Sequence, residues 1–119
     1  MWAQKTELLQ QISAQGWTTT ELEDWEVEDW ADEIWLLESV WSPIGSRAYL
    51  TFLVDNGIDN WHQRKKGESV WAAEISLSKP KYGLQDEHRF LISLNQGWRK
   101  EMPALLKHLS MLRGKSQAA

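Results

Sequence analysis

The sequence has no cysteine, few prolines and no long apolar run. Without a thiol, the chain forms no disulfide, thiolate zinc site or cysteine nucleophile, and it suits a reducing compartment. None of its apolar stretches approaches the roughly 20 residues of a membrane-spanning helix. Its first residues also lack the charged and then apolar pattern of a signal peptide. We therefore expect a cytoplasmic protein with no membrane partner.

The sequence also has no excess of basic residues. Lys and Arg number 13 against 17 Asp and Glu, which gives a formal net charge of −4 at pH 7. Residues 21–38 contain nine acidic side chains and no Lys or Arg. Nucleic-acid-binding domains normally carry the opposite balance, because they meet a phosphate backbone. The charge therefore disfavours nucleic acid as a partner.

The short motifs that mark common enzyme and cofactor sites are also missing. The chain has no Walker motif, no G-x-G-x-x-G, no G-x-S-x-G and no His-Glu-x-x-His. Residues 55–60 are rich in Asp and Asn but do not follow the EF-hand pattern, so they are typical of a turn. We therefore predict no catalytic residue, no metal ion and no cofactor, and we favour a protein that is not an enzyme.

Tryptophan is abundant. Nine of the 119 residues are Trp. Each can bury on the order of 200 Å² of surface, and a domain of this size cannot hide all nine completely. We therefore expect some of them to be half-exposed or to lie in an interface: Trp2, Trp17, Trp25, Trp30, Trp35, Trp41, Trp61, Trp71 and Trp98.

The apolar pattern predicts a helix, several strands and a second helix. Residues 3–15 carry a helical stripe that ends at Gly16. Residues 100–113 carry another, which ends at Gly114 and leaves 115–119 as a frayed tail. Between them, period-two patterns predict four strands, at 33–41, 47–55, 69–78 and 88–95.

Residues 21–31 fit two alternatives. Thr20 with Glu23 fits a capping box at the start of a helical turn. Trp25 and Val27 instead alternate with acidic residues, as in an extended chain. Outside this segment the order of elements is α-β-β-β-β-α. It predicts one α+β domain over residues 1–119, with a four-stranded antiparallel meander sheet and a helix at each end.

In three of the predicted strands, the apolar alternation indicates which face points inward. Their inward residues are Ala48, Leu50, Phe52, Val54, Trp71, Ala73, Ile75, Leu77, Phe90, Ile92 and Leu94. Strand 33–41 is apolar on both parities, so either Ile34, Leu36 and Val40 or Trp35, Leu37 and Trp41 can point inward. Both choices leave apolar residues on the far face, where a sheet with one solvated side should be polar. That face is either covered by residues 17–31 or is an interface.

The interface alternative gives the favoured function. It is a small non-catalytic binding or interaction protein that assembles through an aromatic sheet face, as a homodimer or with another protein. The candidate interaction residues are Trp35, Leu37, Trp41, Tyr49, Leu53 and Leu91.

Two other functions remain as alternatives. Trp61, Arg64, Lys65 and Lys66 join an aromatic residue to a basic triplet, which would suit a nucleic-acid-binding loop. A solvated hairpin loop explains the same residues more simply. The second alternative is a small hydrolase built on Asp55 and Glu74 with His88, although polar residues on a solvated sheet face or edge explain these more simply.

Overall fold

The computed structural model describes residues 2–22, 31–39, 47–55, 70–80 and 87–118. Trp41 and the basic loop of Trp61, Arg64, Lys65 and Lys66 lie outside these ranges. The predictions made for those five residues therefore stay predictions.

Two helices enclose five strands along the chain. The elements are α1 (Trp2–Ala14), β1 (Trp17–Glu21), β2 (Ala31–Ser39), β3 (Arg47–Val54), β4 (Val70–Ser76), β5 (Phe90–Ser93) and α2 (Trp98–Ala118). The strands form one antiparallel sheet in the order β1-β2-β3-β4-β5. The predicted α+β class, the antiparallel meander and the helix at each end are confirmed. The strand number is five, where the sequence predicted four.

The additional strand is β1. Its sequence is Trp-Thr-Thr-Thr-Glu, and only Trp17 is fully buried. β-branched threonines favour extended backbone, but they give no apolar alternation. The Thr20–Glu23 capping signal pointed to a helical turn, yet Thr20 pairs with Leu36 in the sheet. Pairing with β2 therefore decides this segment against its local capping signal.

The helix ends follow backbone geometry. Gly16 has a φ of 94°, the left-handed conformation that commonly follows a helix, and β1 begins at the next residue. α2 begins at Trp98, so Pro103 lies in its second turn. It continues to Ala118, so the predicted stop at Gly114 is wrong. A glycine inside a helix costs about 1 kcal/mol but does not force the helix to end.

Both helices pack on one face of the sheet, which we call the helix face. Leu8 and Ile12 of α1 share a core with Leu105, Leu109 and Leu112 of α2. The sheet contributes Leu37, Ala48, Leu50, Phe52, Val54, Val70, Ala73, Ile75 and Ile92 to the same core. None of the helices in the described residues is long and apolar enough to cross a membrane.

Two bulges modify the expected register. Leu53 pairs with Ala72 and Val54 with Val70, so Trp71 is an extra residue in β4. Trp71 is 39% exposed, and the prediction that it points into the core is wrong. The second bulge lies between Ala31 and Glu33 of β2. Each bulge shifts the alternation by one residue, which period-two reasoning cannot detect.

Candidate interaction surface

The face of the sheet opposite the helices, which we call the outer face, is built from cross-strand rows. Thr20, Leu36, Tyr49 and Ser76 form one row across β1 to β4. The next row is Ile34, Thr51, Glu74 and Leu91 across β2 to β5. A third row joins Ala31, Leu53, Ala72 and Ser93. Directly opposed side chains in such rows lie about 4.5–5.5 Å apart, so each row is one contact line.

The centre and the margin of the outer face differ in exposure. Ile34, Thr51 and Ala72 are at most 1% exposed. Leu36, Tyr49 and Leu53 are half-buried. Leu91, at the β5 end, is 40% exposed. The partly exposed apolar side chains therefore border a buried centre.

Charged side chains on the outer face stand in opposite-charge pairs. Arg47 Nη2 lies 3.4 Å from Glu38 Oε2, and both side chains are exposed. Arg89 Nε contacts Glu74 Oε1, and there the Glu74 side chain is only 9% exposed. Within the described strands, two carboxylates thus face two guanidinium groups on this face, and Asp55 is exposed after the end of β3.

The Thr51 hydroxyl is an unusual polar group at the buried centre. Its Oγ1 is buried and has no hydrogen-bond partner among the described residues. Its neighbours in the row are the apolar Ile34 and the carboxylate of Glu74. A buried hydroxyl without a partner costs about 1–3 kcal/mol of desolvation.

The predicted interaction residues are divided between the two faces. Tyr49, Leu53 and Leu91 lie on the outer face. Trp35 pairs with Leu50 and Leu37 with Ala48, which places both on the helix face, and Leu37 is fully buried. The sequence did not decide which face of strand 33–41 points inward. In the structure, β2 turns its odd-numbered residues toward the helices. Trp41, the sixth candidate, is outside the described residues.

The reason for that choice is a buried charge cluster between α1 and β2. Lys5 Nζ lies 2.8 Å from Asp32 Oδ2 and 2.8 Å from Glu33 Oε1. It also lies 5.3 Å from the centre of the Phe52 ring. All three charged side chains are at most 5% exposed. Turning β2 over would remove Glu33 from Lys5.

The bulge in β2 explains how two consecutive carboxylates reach one lysine. In a regular strand, neighbouring side chains point to opposite faces. Here Ala31 pairs with Leu53 and Glu33 with Phe52, so Asp32 has no position of its own in the register. Sequence reasoning missed this cluster. The signals for it were Lys5, which shares the apolar stripe of α1 with Leu8 and Ile12, and the two adjacent acids.

The residues of the hydrolase alternative are not brought together. Glu74 lies opposite Thr51, whereas Asp55 is exposed after the end of β3. Four strand residues span about 13 Å, which separates Asp55 from Glu74. His88 lies next to Glu87, at 3.3 Å. Its carbonyl oxygen is 2.7 Å from His108 Nε2, which donates to it.

A cleft of about 450 Å³ opens where α2 begins, lined by Gln4 and by residues 94–99. Arg99 is its cationic side chain. Its Nε lies 2.9 Å from Glu7 Oε2, and its guanidinium lies 5.1 Å from the Trp98 ring centre. These contacts join α1 to α2, and they engage the Arg99 guanidinium with other side chains of the protein.

No protein-family model, curated protein or solved structure matches this chain. Its function is therefore argued from its own residues.

Proposed function

We propose that this protein is a non-catalytic interaction protein that binds a protein partner with the outer face of its sheet. The supporting observation is the border of apolar side chains on that face. Leu91 is 40% exposed, and Leu36, Tyr49 and Leu53 are half-buried. Apolar side chains that stay partly exposed on a sheet face can mark an interaction site.

The arrangement of charges supports a protein partner. In the described strands, the Glu38–Arg47 and Glu74–Arg89 pairs match each carboxylate of the outer face with a guanidinium group. Protein interfaces commonly combine apolar side chains with arginine and tyrosine. A phosphate-rich ligand would instead call for unpaired cations. The outer face therefore suits apolar contact with a second polypeptide.

Site-specific photo-crosslinking tests the proposal in cells that make the protein. A benzophenone amino acid replaces Tyr49, which it resembles in shape and in its position on the outer face. The matched control carries the same group at Gln11, an exposed position of α1. We expect a discrete protein adduct from position 49 that is absent from position 11.

The crosslinked partner is then purified, and its affinity for the wild-type protein and for the Leu53→Asp variant is measured by titration. We expect the variant to keep its fold and to lose at least about tenfold in affinity, or 1.4 kcal/mol. Equal adducts at both positions, or unchanged affinity of the variant, would contradict the proposal. A cytoplasmic location remains part of the proposal, and cell fractionation tests it.

A further inference from the structure

The edge of β5 that points away from β4 has no partner strand among the described strands. β5 pairs with β4 and ends the sheet. The Leu94 amide donates to the Trp71 carbonyl at 2.8 Å. Because hydrogen-bonded and non-hydrogen-bonded pairs alternate in an antiparallel ladder, this bond identifies which residues of β5 bond to β4. Phe90 and Ile92 therefore bond to β4, and the main-chain groups of Leu91 and Ser93 point away from the sheet. The edge carries neither proline nor lysine, the residues that commonly protect an exposed strand.

α2 lies above the same edge. The His108 ring stacks on Phe90 with centroids 4.8 Å apart, and Arg99 bonds Glu7 of α1 on the other side of the helix. Nine residues make two and a half helical turns, so Arg99 and His108 project in opposite directions. Ala104 and Met111 project within about 60° of His108, at 100° per residue. These two side chains therefore lie on the side of α2 that is turned away from α1.

Among the described residues three large apolar side chains are exposed, and two of them flank this edge. Leu91 is 40% exposed on the strand, and Met111 is 51% exposed on the helix above it. Ala104, seven residues before Met111 on the helix, is exposed and small. Leu91 and Met111 thus flank the β5 edge on opposite sides of the sheet, where main-chain pairing with another strand would give each a new neighbour.

We infer that two copies of this chain join edge to edge through β5, forming one continuous ten-stranded sheet. A two-fold axis at Ile92 places Leu91 of one copy opposite Ser93 of the other. Both residues point their main-chain groups outward, so this register forms a regular antiparallel ladder. The inference goes beyond the proposed function, because it concerns the main-chain edge of β5. Leu91 contributes its main chain to that edge and its side chain to the outer face.

The same two-fold axis determines where the α2 helices of the two copies meet. α2 runs antiparallel to β5, since His108 lies by Phe90 and Trp98 follows the end of the strand. Residues near 104 therefore lie above Ile92, and the two α2 helices approach each other at Ala104. Small side chains permit such an approach, and Met111 is covered by the partner helix.

Charge does not oppose this pairing. In the proposed register Arg89 of one copy lies opposite Asn95 of the other, so no like charges are directly opposed. A second copy therefore fits the edge in main-chain register, side-chain size and charge. The dimer places the two outer faces next to each other on the same side of the joined sheet.

Light scattering and sedimentation of the full chain across the micromolar range test the inference. We expect twice the 13.9 kDa chain mass. Ala104→Glu and Met111→Glu should each raise the dimer dissociation constant at least about tenfold. Ser110→Glu is the matched control, because Ser110 is exposed and projects about 160° away from His108. Circular dichroism establishes that each variant is folded.

Hydrogen exchange gives a second measurement that needs no substitution. The amides of Leu91 and Ser93 should exchange more slowly as protein concentration rises. A monomer at all concentrations would overturn the inference and leave the proposed function standing. So would a dimer that Leu53→Asp disrupts and the two α2 variants do not. A dimer that only the α2 variants disrupt, with partner binding still lost in Leu53→Asp, supports both.

Discussion

The Lys5 ammonium lies 2.8 Å from the Asp32 carboxylate although 27 residues separate them in sequence, and both side chains are buried. This contact, with the one to Glu33, ties α1 to the second strand of the sheet. One cation between two carboxylates forms a buried polar cluster beside the apolar core. Removing the cation takes from both buried carboxylates the ammonium that they contact.

Lys5→Met should therefore destabilise the protein by about 3–5 kcal/mol, because breaking a buried ion pair by removing one partner is costly. Asp32→Asn should cost less, since it leaves Lys5 with one carboxylate in Glu33. Urea denaturation followed by circular dichroism measures both free energies of unfolding. Equal losses in the two variants would show that the lysine does not act through charge compensation.

Thr51→Val should stabilise the protein by about 1 kcal/mol. Valine keeps the shape of threonine and removes a buried hydroxyl for which the described residues offer no partner. Thr51→Ala should destabilise it instead, because the lost methyl group leaves a cavity. Thermal and urea unfolding of the two variants give the comparison. A destabilised valine variant would reveal a hydrogen bond to that hydroxyl.

The two ion pairs of the outer face should differ in strength. Arg47→Ala should change stability by less than about 0.5 kcal/mol, because the Glu38–Arg47 pair is exposed on both sides. Arg89→Ala should cost more, about 1–2 kcal/mol, since it leaves the nearly buried Glu74 carboxylate without its guanidinium. Added salt should weaken the first pair more than the second. Equal costs would contradict this ranking.

Gly97→Ala should destabilise the start of α2 by about 1–2 kcal/mol. Gly97 has a φ of 83°, and an added Cβ would meet nothing within 4 Å. The cost therefore comes from backbone conformation and not from a clash. Gly97→Asn should cost less, because asparagine adopts this conformation more readily. Urea unfolding that ranks asparagine below alanine would contradict this explanation.

The sequence predicted the elements whose apolar period is strong. The stripe of Leu105, Leu109 and Leu112 and the alternation of Ala73 and Ile75 each select one buried face. Periodicity failed where local signals were weak or conflicting. β1 has three threonines and no apolar alternation, so only its pairing with β2 identifies it as a strand.

The candidate site was predicted in part. Tyr49, Leu53 and Leu91 were assigned to a shared face and lie there. Trp35 and Leu37 were assigned to the same face and lie on the other one. Both parities of β2 are apolar, so hydrophobicity alone could not choose between them. The choice follows a charge, since Glu33 must reach Lys5.

The sequence by itself determined the class of fold, because the apolar period of each element is a local property of consecutive residues. It also determined that no thiol chemistry is available, since the chain has no cysteine. Only the tertiary structure decided which face of β2 is buried and where Trp71 points. Both depend on bulges and on contacts between distant residues, such as Lys5 with Asp32. Such contacts form when the sheet and helices pack, and no local pattern records them.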